Sequence, residues 1–199
     1  MAKVFTIGRQ LGSKGWEIGQ KLSSELNIPF YNDELIELSA NKSGMSADIF
    51  AKFDEKPASS LLYSLSLGSI SSDMSNLSTN TPLNDTVFAS QCKVIKELAE
   101  KGPCVIVGRC SNHILKDFDN VINVFIYADL EDRINNVCER DGIGQKQALT
   151  KIKKSDKTRA SYHNFYSDTK WGESESYDIM LNSSIGVDKI VNILKQLYR

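Results

Sequence analysis

The chain has 199 residues, with 24 Lys and Arg against 25 Asp and Glu, for a formal net charge of -1. That length suits one domain with a sizeable core, and the even charge balance gives no electrostatic footprint for nucleic acid or an anionic membrane. No run is long and apolar enough to span a bilayer, and Cys92, Cys104, Cys110 and Cys138 form no C-x-x-C pair, which excludes the plain signatures of membrane, disulfide-framework and zinc proteins.

Met1-Ala2-Lys3 leads directly into Val4-Phe5-Thr6-Ile7, an apolar, β-branched strand pattern, and no signal peptide is expected. A cytoplasmic protein with reduced thiols is the expectation. The strand stops at Gly8, and Gly8-Arg9-Gln10-Leu11-Gly12-Ser13-Lys14-Gly15 forms a glycine-bearing turn. Ile18, Leu22 and Leu26 then recur at helical spacing. Strand, glycine turn and helix in that order let backbone N–H groups and a helix dipole converge on phosphate. The spacing misses G-x-x-x-x-G-K-[ST], because Gly8 plus five lands on Ser13 and Gly15 follows Lys14. A plain strand–turn–helix without ligand therefore stays open beside a phosphate site.

Ile28-Pro29-Phe30-Tyr31 reads as a short second strand, and Asn32 or Asp33 as the cap of a helix carrying Leu35, Ile36 and Leu38. A further helix is predicted over 46–53. Residues 58–82 are serine-rich yet carry Leu61, Leu62, Leu65, Leu67 and Ile70. This stretch reads as a mobile insertion, helical in its first half, that covers substrate, forms a dimer contact, or is only a variable surface excursion. Phe88, Cys92, Ile95 and Leu98 share a helix face ending at Gly102-Pro103. Cys104 to Val107 and Val121 to Tyr127 are buried strands, helices follow over 130–139 and 146–162, and Tyr177 to Leu181 is the last strand. Val187, Ile190, Val191, Leu194 and Leu197 stripe a closing helix. Strands alternating with helices predict an α/β fold with a parallel sheet.

Ligands of such sheets bind beyond the carboxyl ends of the strands. Two of those ends read Gly8-Arg9 and Gly108-Arg109, and a third reads Tyr31-Asn32-Asp33. Paired guanidinium forks suit phosphate oxygens, although each arginine could equally pair with a carboxylate. Arg133 and Arg140 flank one later helix, and Lys153, Asp156 and Arg159 lie three apart in another; the alternative for this set is a solvated helix face. His113 and His163 fit no triad or ligand spacing and read as structural. Trp171 either stacks on a base or packs in a loop.

The blocks Thr6 to Gly19, Pro29 to Ile36, Val105 to Arg109, Asp156 to Ala160 and Tyr177 to Ser184 together resemble the cytidylate kinase-like family of P-loop nucleoside monophosphate kinases. The resemblance implies a P-loop NTPase-like three-layer fold over 1–199. It also implies an inserted helical acceptor-binding region near 45–84, which would be the contact of any homodimer, and a helical lid near 140–172. ATP would be the phosphoryl donor with Mg2+, and a small nucleotide such as CMP the acceptor, with neither nucleic acid nor membrane as partner. Gly8, Arg9, Gly12, Ser13, Lys14, Gly15, Trp16 and Glu17 would hold the donor. Asp33, Arg109, Asp156 and Arg159 would bind the acceptor, and Lys14, Arg133, Arg140 and Lys153 would act on the transferring phosphoryl group. No residue is assigned as a metal ligand. The sequence departs from the family where Gly15 stands at the P-loop lysine, Cys110 at the aspartate after Gly-Arg, and Val107 at the acidic residue before it. A non-catalytic nucleotide- or phosphate-binding module is therefore the alternative reading, and an oligomeric scaffold a third.

Overall fold

The computed structural model describes residues 3–55 and 83–198. Its centre is a five-stranded parallel sheet in the order β2-β3-β1-β4-β5. The strands are β1 (Val4–Arg9), β2 (Phe30–Tyr31), β3 (Val105–Val107), β4 (Val121–Tyr127) and β5 (Ile179–Asn182). β1 is central because its side chains are apolar on both faces, as a strand covered by helices on both sides requires. Phe5 and Ile7 register with Val105 and Val107 on one side and with Ile122 and Val124 on the other. Where β1 carries Thr6, its hydroxyl donates to Asn123 Oδ1 at 2.7 Å, so the polar atom is satisfied inside the sheet.

Two helical layers close the sheet. On one face α1 (Gly15–Leu26) and α8 (Val187–Leu197) bury Ile18, Leu22, Ile190, Val191 and Leu194 against Phe5, Ile7 and Ile126. On the other, α2 (Glu34–Ser43) and α4 (Leu83–Lys101) bury Leu35, Ile95 and Leu98 against Val4 and Ile106. Between α2 and α4 comes α3 (Ala47–Phe53), whose Phe50 is fully buried with Ala40 and Val87. Burying that one ring contributes about 2–3 kcal/mol, and it fixes where α3 ends. α5 (Ser111–Ile114) follows β3, while α6 (Leu130–Asp141) and α7 (Gln145–Tyr166) pack together through Val137, Ala148 and Ile152. Leu11 of the glycine turn belongs to that same cluster.

The elements match the sequence reading closely, and three of the differences have a visible cause. α7 runs to Tyr166, because Phe88 of α4 stacks on Tyr166 at 3.9 Å and holds the extra turn. β5 starts at Ile179, since the Tyr177 N–H closes a 3-10 turn on the Ser174 carbonyl. Neither Asn32 nor Asp33 caps α2 through its side chain. The Asn32 amide is drawn into the site described below, and the Glu34 carboxylate accepts the Asn32 N–H at 3.2 Å instead. The expectations for residues 58–82, including a helical first half, mobility and a dimer contact, lie outside the described residues.

Candidate functional site

The glycine turn between β1 and α1 is held from behind. Gly12 has φ +81, and a Cβ there would sit 2.6 Å from the Arg133 carbonyl oxygen, so glycine is required by close backbone approach. Arg133 Nε donates to the Leu11 carbonyl at 2.8 Å, and its Nη2 pairs with Asp156. Asp156 accepts the Leu11 N–H at 2.9 Å, and Asn136 Nδ2 donates to the Gly12 carbonyl at 2.9 Å. Ser13 is buried, with its hydroxyl directed at the carbonyls of Gln10 (2.9 Å) and Ile126 (3.0 Å). The outer side of the turn is open. α1 begins at Gly15 with no side-chain cap, so its first-turn N–H groups face a cleft of about 860 Å3. Lys14 precedes that helix in the left-handed conformation, φ 58, and lines the cleft with Trp16, Glu17 and Arg140.

The same cleft continues to the carboxyl ends of β1 and β3. There Gly108, Arg109 and Cys110 all have positive φ, of 78, 50 and 57. Successive left-handed residues are strained conformations of the kind that cluster at functional sites. Arg109 is 4% exposed. Its Nε and Nη2 hold both oxygens of Asp54, at 3.2 and 2.9 Å, and its Nη1 donates to Asn32 Oδ1 at 3.1 Å and to the Val107 carbonyl at 3.2 Å. Asp33 stands 3.8 Å away with its carboxylate in solvent. Beside this pair, Glu55 meets Arg9 Nη1 at 3.0 Å, the Arg109 N–H at 3.3 Å and Arg159 Nε at 3.7 Å. Arg159 Nη1 also donates to the Arg9 carbonyl at 3.2 Å.

The electrostatics follow from this crowding. Burial alone would raise the Glu55 carboxyl, but Arg9, Arg109 and Arg159 outweigh it and hold it well below the usual carboxylate range. Burial, and then the neighbouring Arg9, push Arg159 down to about 10, because Arg159 has the weakest hold on a counter-charge. Burial also pushes the Cys110 thiol up to about 12 and lowers His163, which keeps that imidazole neutral. Among the described residues no group of His, Cys, Asp and Glu side chains could by itself form a metal site.

The fold thus brings Arg9, Lys14, Asp33, Arg109, Arg140 and Arg159 to one cleft, and it gives several other sequence-singled residues protein partners. Arg133 and Asp156 grip the backbone of the turn from behind. The Ser13 hydroxyl is turned inward to carbonyls. The Arg9 stem lies against Gly15 at the start of α1, and its guanidinium reaches Glu55. Lys153 is exposed and does not line the cleft. A spacing of three residues falls 60° short of a full helical turn, so Lys153 and Arg159 stand about 120° apart around α7. Trp171 packs edge-on against Phe125 at 5.2 Å. Asn32, Asp54, Glu55 and Asn136 carry no local motif; only Asn32, at a strand's carboxyl end, had a positional signal.

Comparison with known proteins decides the family. The model of the cytidylate kinase-like family matches residues 4–185. The chain belongs to the cytidylate kinase-like family. The cytidylate kinase of Ignicoccus hospitalis is 22% identical over 195 residues, 98% of each chain. An uncharacterized protein from Eubacterium ventriosum has a similar structure, with TM-score 0.72 and 31% identity over 98% of each chain. Shikimate kinase from Bacteroides thetaiotaomicron, at TM-score 0.57 and 11% identity, covers 99% of this chain and 98% of its own. That last likeness shows a shared P-loop NTPase-like fold. Membership in the cytidylate kinase-like family supports a nucleotide-binding phosphotransferase, and no helix among the described residues is long and apolar enough to cross a membrane.

Proposed function

We propose that the protein transfers the terminal phosphoryl group of ATP to a nucleoside monophosphate, with CMP as the simplest acceptor, in the cytoplasm. The observation that carries this reading is the continuity of the cleft. One cavity runs from the uncapped N-terminus of α1, beside Lys14, to the guanidinium groups of Arg9, Arg109 and Arg159. Donor and acceptor phosphates held at its two ends would face each other, and phosphoryl transfer depends chiefly on such positioning and on charge neutralisation.

In this reading the N–H groups of the first turn of α1 cradle the donor's phosphates and Lys14 supplies the cation that the family's motif places one residue later. Arg140, which forks onto both oxygens of Asp141 while staying half exposed, offsets charge as the phosphoryl group moves. Arg133, Asp156 and Asn136 keep the turn rigid. Magnesium ordinarily takes one or two carboxylates together with substrate phosphates and water. Glu17, in the first turn of α1 and lining the cleft, would supply such a carboxylate, whereas the Ser13 hydroxyl is turned inward. When bound, the metal would neutralise phosphate charge. ATP consumption measured across a panel of nucleoside monophosphates tests the proposal. Turnover with CMP above all others is expected; ATP binding without turnover on any acceptor would overturn it.

A further inference from the structure

The end of α3 places one of the protein's own carboxylates among the arginines that the proposed function reserves for the acceptor. Asp54 and Glu55 lie side by side, yet they are held differently. Asp54 is fixed: it takes a bidentate fork from Arg109 and also accepts from Gln91 Nε2 at 2.7 Å. Together with Asn32 and the Val107 carbonyl it occupies four of the five Arg109 side-chain N–H donors. Arg109 is thus a fixed part of the wall.

Glu55 is the exchangeable part. Its one carboxylate sits between two cations, Arg9 and Arg159, and takes the Arg109 backbone N–H. Its own backbone is left-handed, φ 50, a conformation that costs a non-glycine residue energy and favours leaving. The seat is also shaped around it. A Cβ on Gly108, itself at φ +78, would overlap both Arg9 Nη1 and Glu55 Oε1, so the glycine is what admits this pairing. One negative charge against two guanidinium groups leaves a cation unbalanced, and a dianion would balance both.

We propose that Glu55 is a built-in competitor for the acceptor's anionic group, occupying the Arg9–Arg159 seat until a dianionic phosphate monoester displaces it. This rests on the acceptor reading above and adds a selection rule to it. A phosphate monoester is dianionic above its second pKa of about 6 and out-competes the single carboxylate. Monoanionic or neutral acceptors do not. The apparent affinity of the acceptor is reduced by the fraction of molecules in which Glu55 holds the seat.

The experiment titrates CMP, and separately inorganic phosphate, into the wild type, Glu55→Gln and Glu55→Asp by calorimetry. Glu55→Gln removes the competing charge, and CMP and phosphate should both bind about tenfold more tightly. Glu55→Asp keeps the charge on a shorter arm, and a several-fold gain is expected; it carries the test if Glu55→Gln does not fold. Unchanged or weaker CMP and phosphate binding in both variants would overturn the competitor role. If phosphate binds the variants more tightly but CMP binds none of the three proteins, the competitor role stands and the nucleotide acceptor reading fails. If CMP binds all three equally, the acceptor reading stands and the competitor role falls.

Discussion

Asp156 accepts the backbone N–H of Leu11 at 2.9 Å, tying the middle of α7 to the glycine turn 145 residues away in sequence. The same carboxylate pairs with Arg133, whose Nε holds the Leu11 carbonyl. The turn is therefore clamped through both its donor and its acceptor by one ion pair. Asp156→Ala would strand a buried guanidinium and leave an amide unpaired. A loss of about 3–5 kcal/mol is expected, read by urea denaturation. Asp156→Asn, which keeps one acceptor, should cost clearly less. Equal stability of the alanine variant and the wild type would show that the turn needs no clamp.

Arg109 has a structural duty as well as a place in the cleft. The strand-end position by itself suggests that Arg109→Lys weakens acceptor binding and spares the fold. Because Arg109 also forks onto Asp54, the fold is expected to suffer too. Lysine cannot reproduce the fork that holds Asp54, Asn32 and the Val107 carbonyl. Arg109→Lys should lower stability by about 2–4 kcal/mol and weaken CMP binding, checked by denaturation and calorimetry on the same preparation. An unchanged melting temperature would contradict the structural half.

Lys14 separates stability from binding. It occupies the left-handed region at φ 58, ψ 16, just before the uncapped α1. Lys14→Gly removes a strain of about 1–2 kcal/mol, offset in part by about 0.4–1 kcal/mol of added unfolded-state entropy. A small net stabilisation is expected. ATP binding should fall by about 1.5–3 kcal/mol, the worth of hydrogen bonds to charged groups. Thermal melts with and without ATP check both, and tighter ATP binding by the glycine variant would remove Lys14 from the donor site.

Acid should weaken the wild type through Glu55. Its folded-state pKa lies well below its unfolded value of about 4.3. The stability it contributes is complete above that unfolded value and is lost as pH falls below it toward the folded one. The slope contributed by this one proton approaches about 1.4 kcal/mol per pH unit. Glu55→Gln lacks it, so the stability difference between wild type and variant should shrink from about pH 5 to about pH 3. A difference that stays constant across that range would mean that the three arginines do not depress Glu55.

The sequence by itself determined the layered α/β fold, and the reason is local. β1, β3 and β4 are short apolar runs ended by glycine or polar residues, and α1 and α8 carry apolar side chains at helical spacing, so type and order follow from periodicity alone. The strand-end rule likewise pointed to Arg9, Asp33 and Arg109, since chain topology alone brings those ends to one edge. Tertiary structure decided what each charge does. Whether Arg133 reaches a ligand or a carbonyl depends on where Leu11 lies, 122 residues away, and whether Lys153 faces the cleft depends on the rotation of α7. Asp54 and Glu55 were unreadable for the same reason. Nothing in their neighbours marks them, and they reach the arginines because the buried Phe50 ring fixes the end of α3 against α2 and α4. Hydrophobic patterning is written along the chain, whereas an ion pair exists only once packing has set two distant side chains a few ångströms apart.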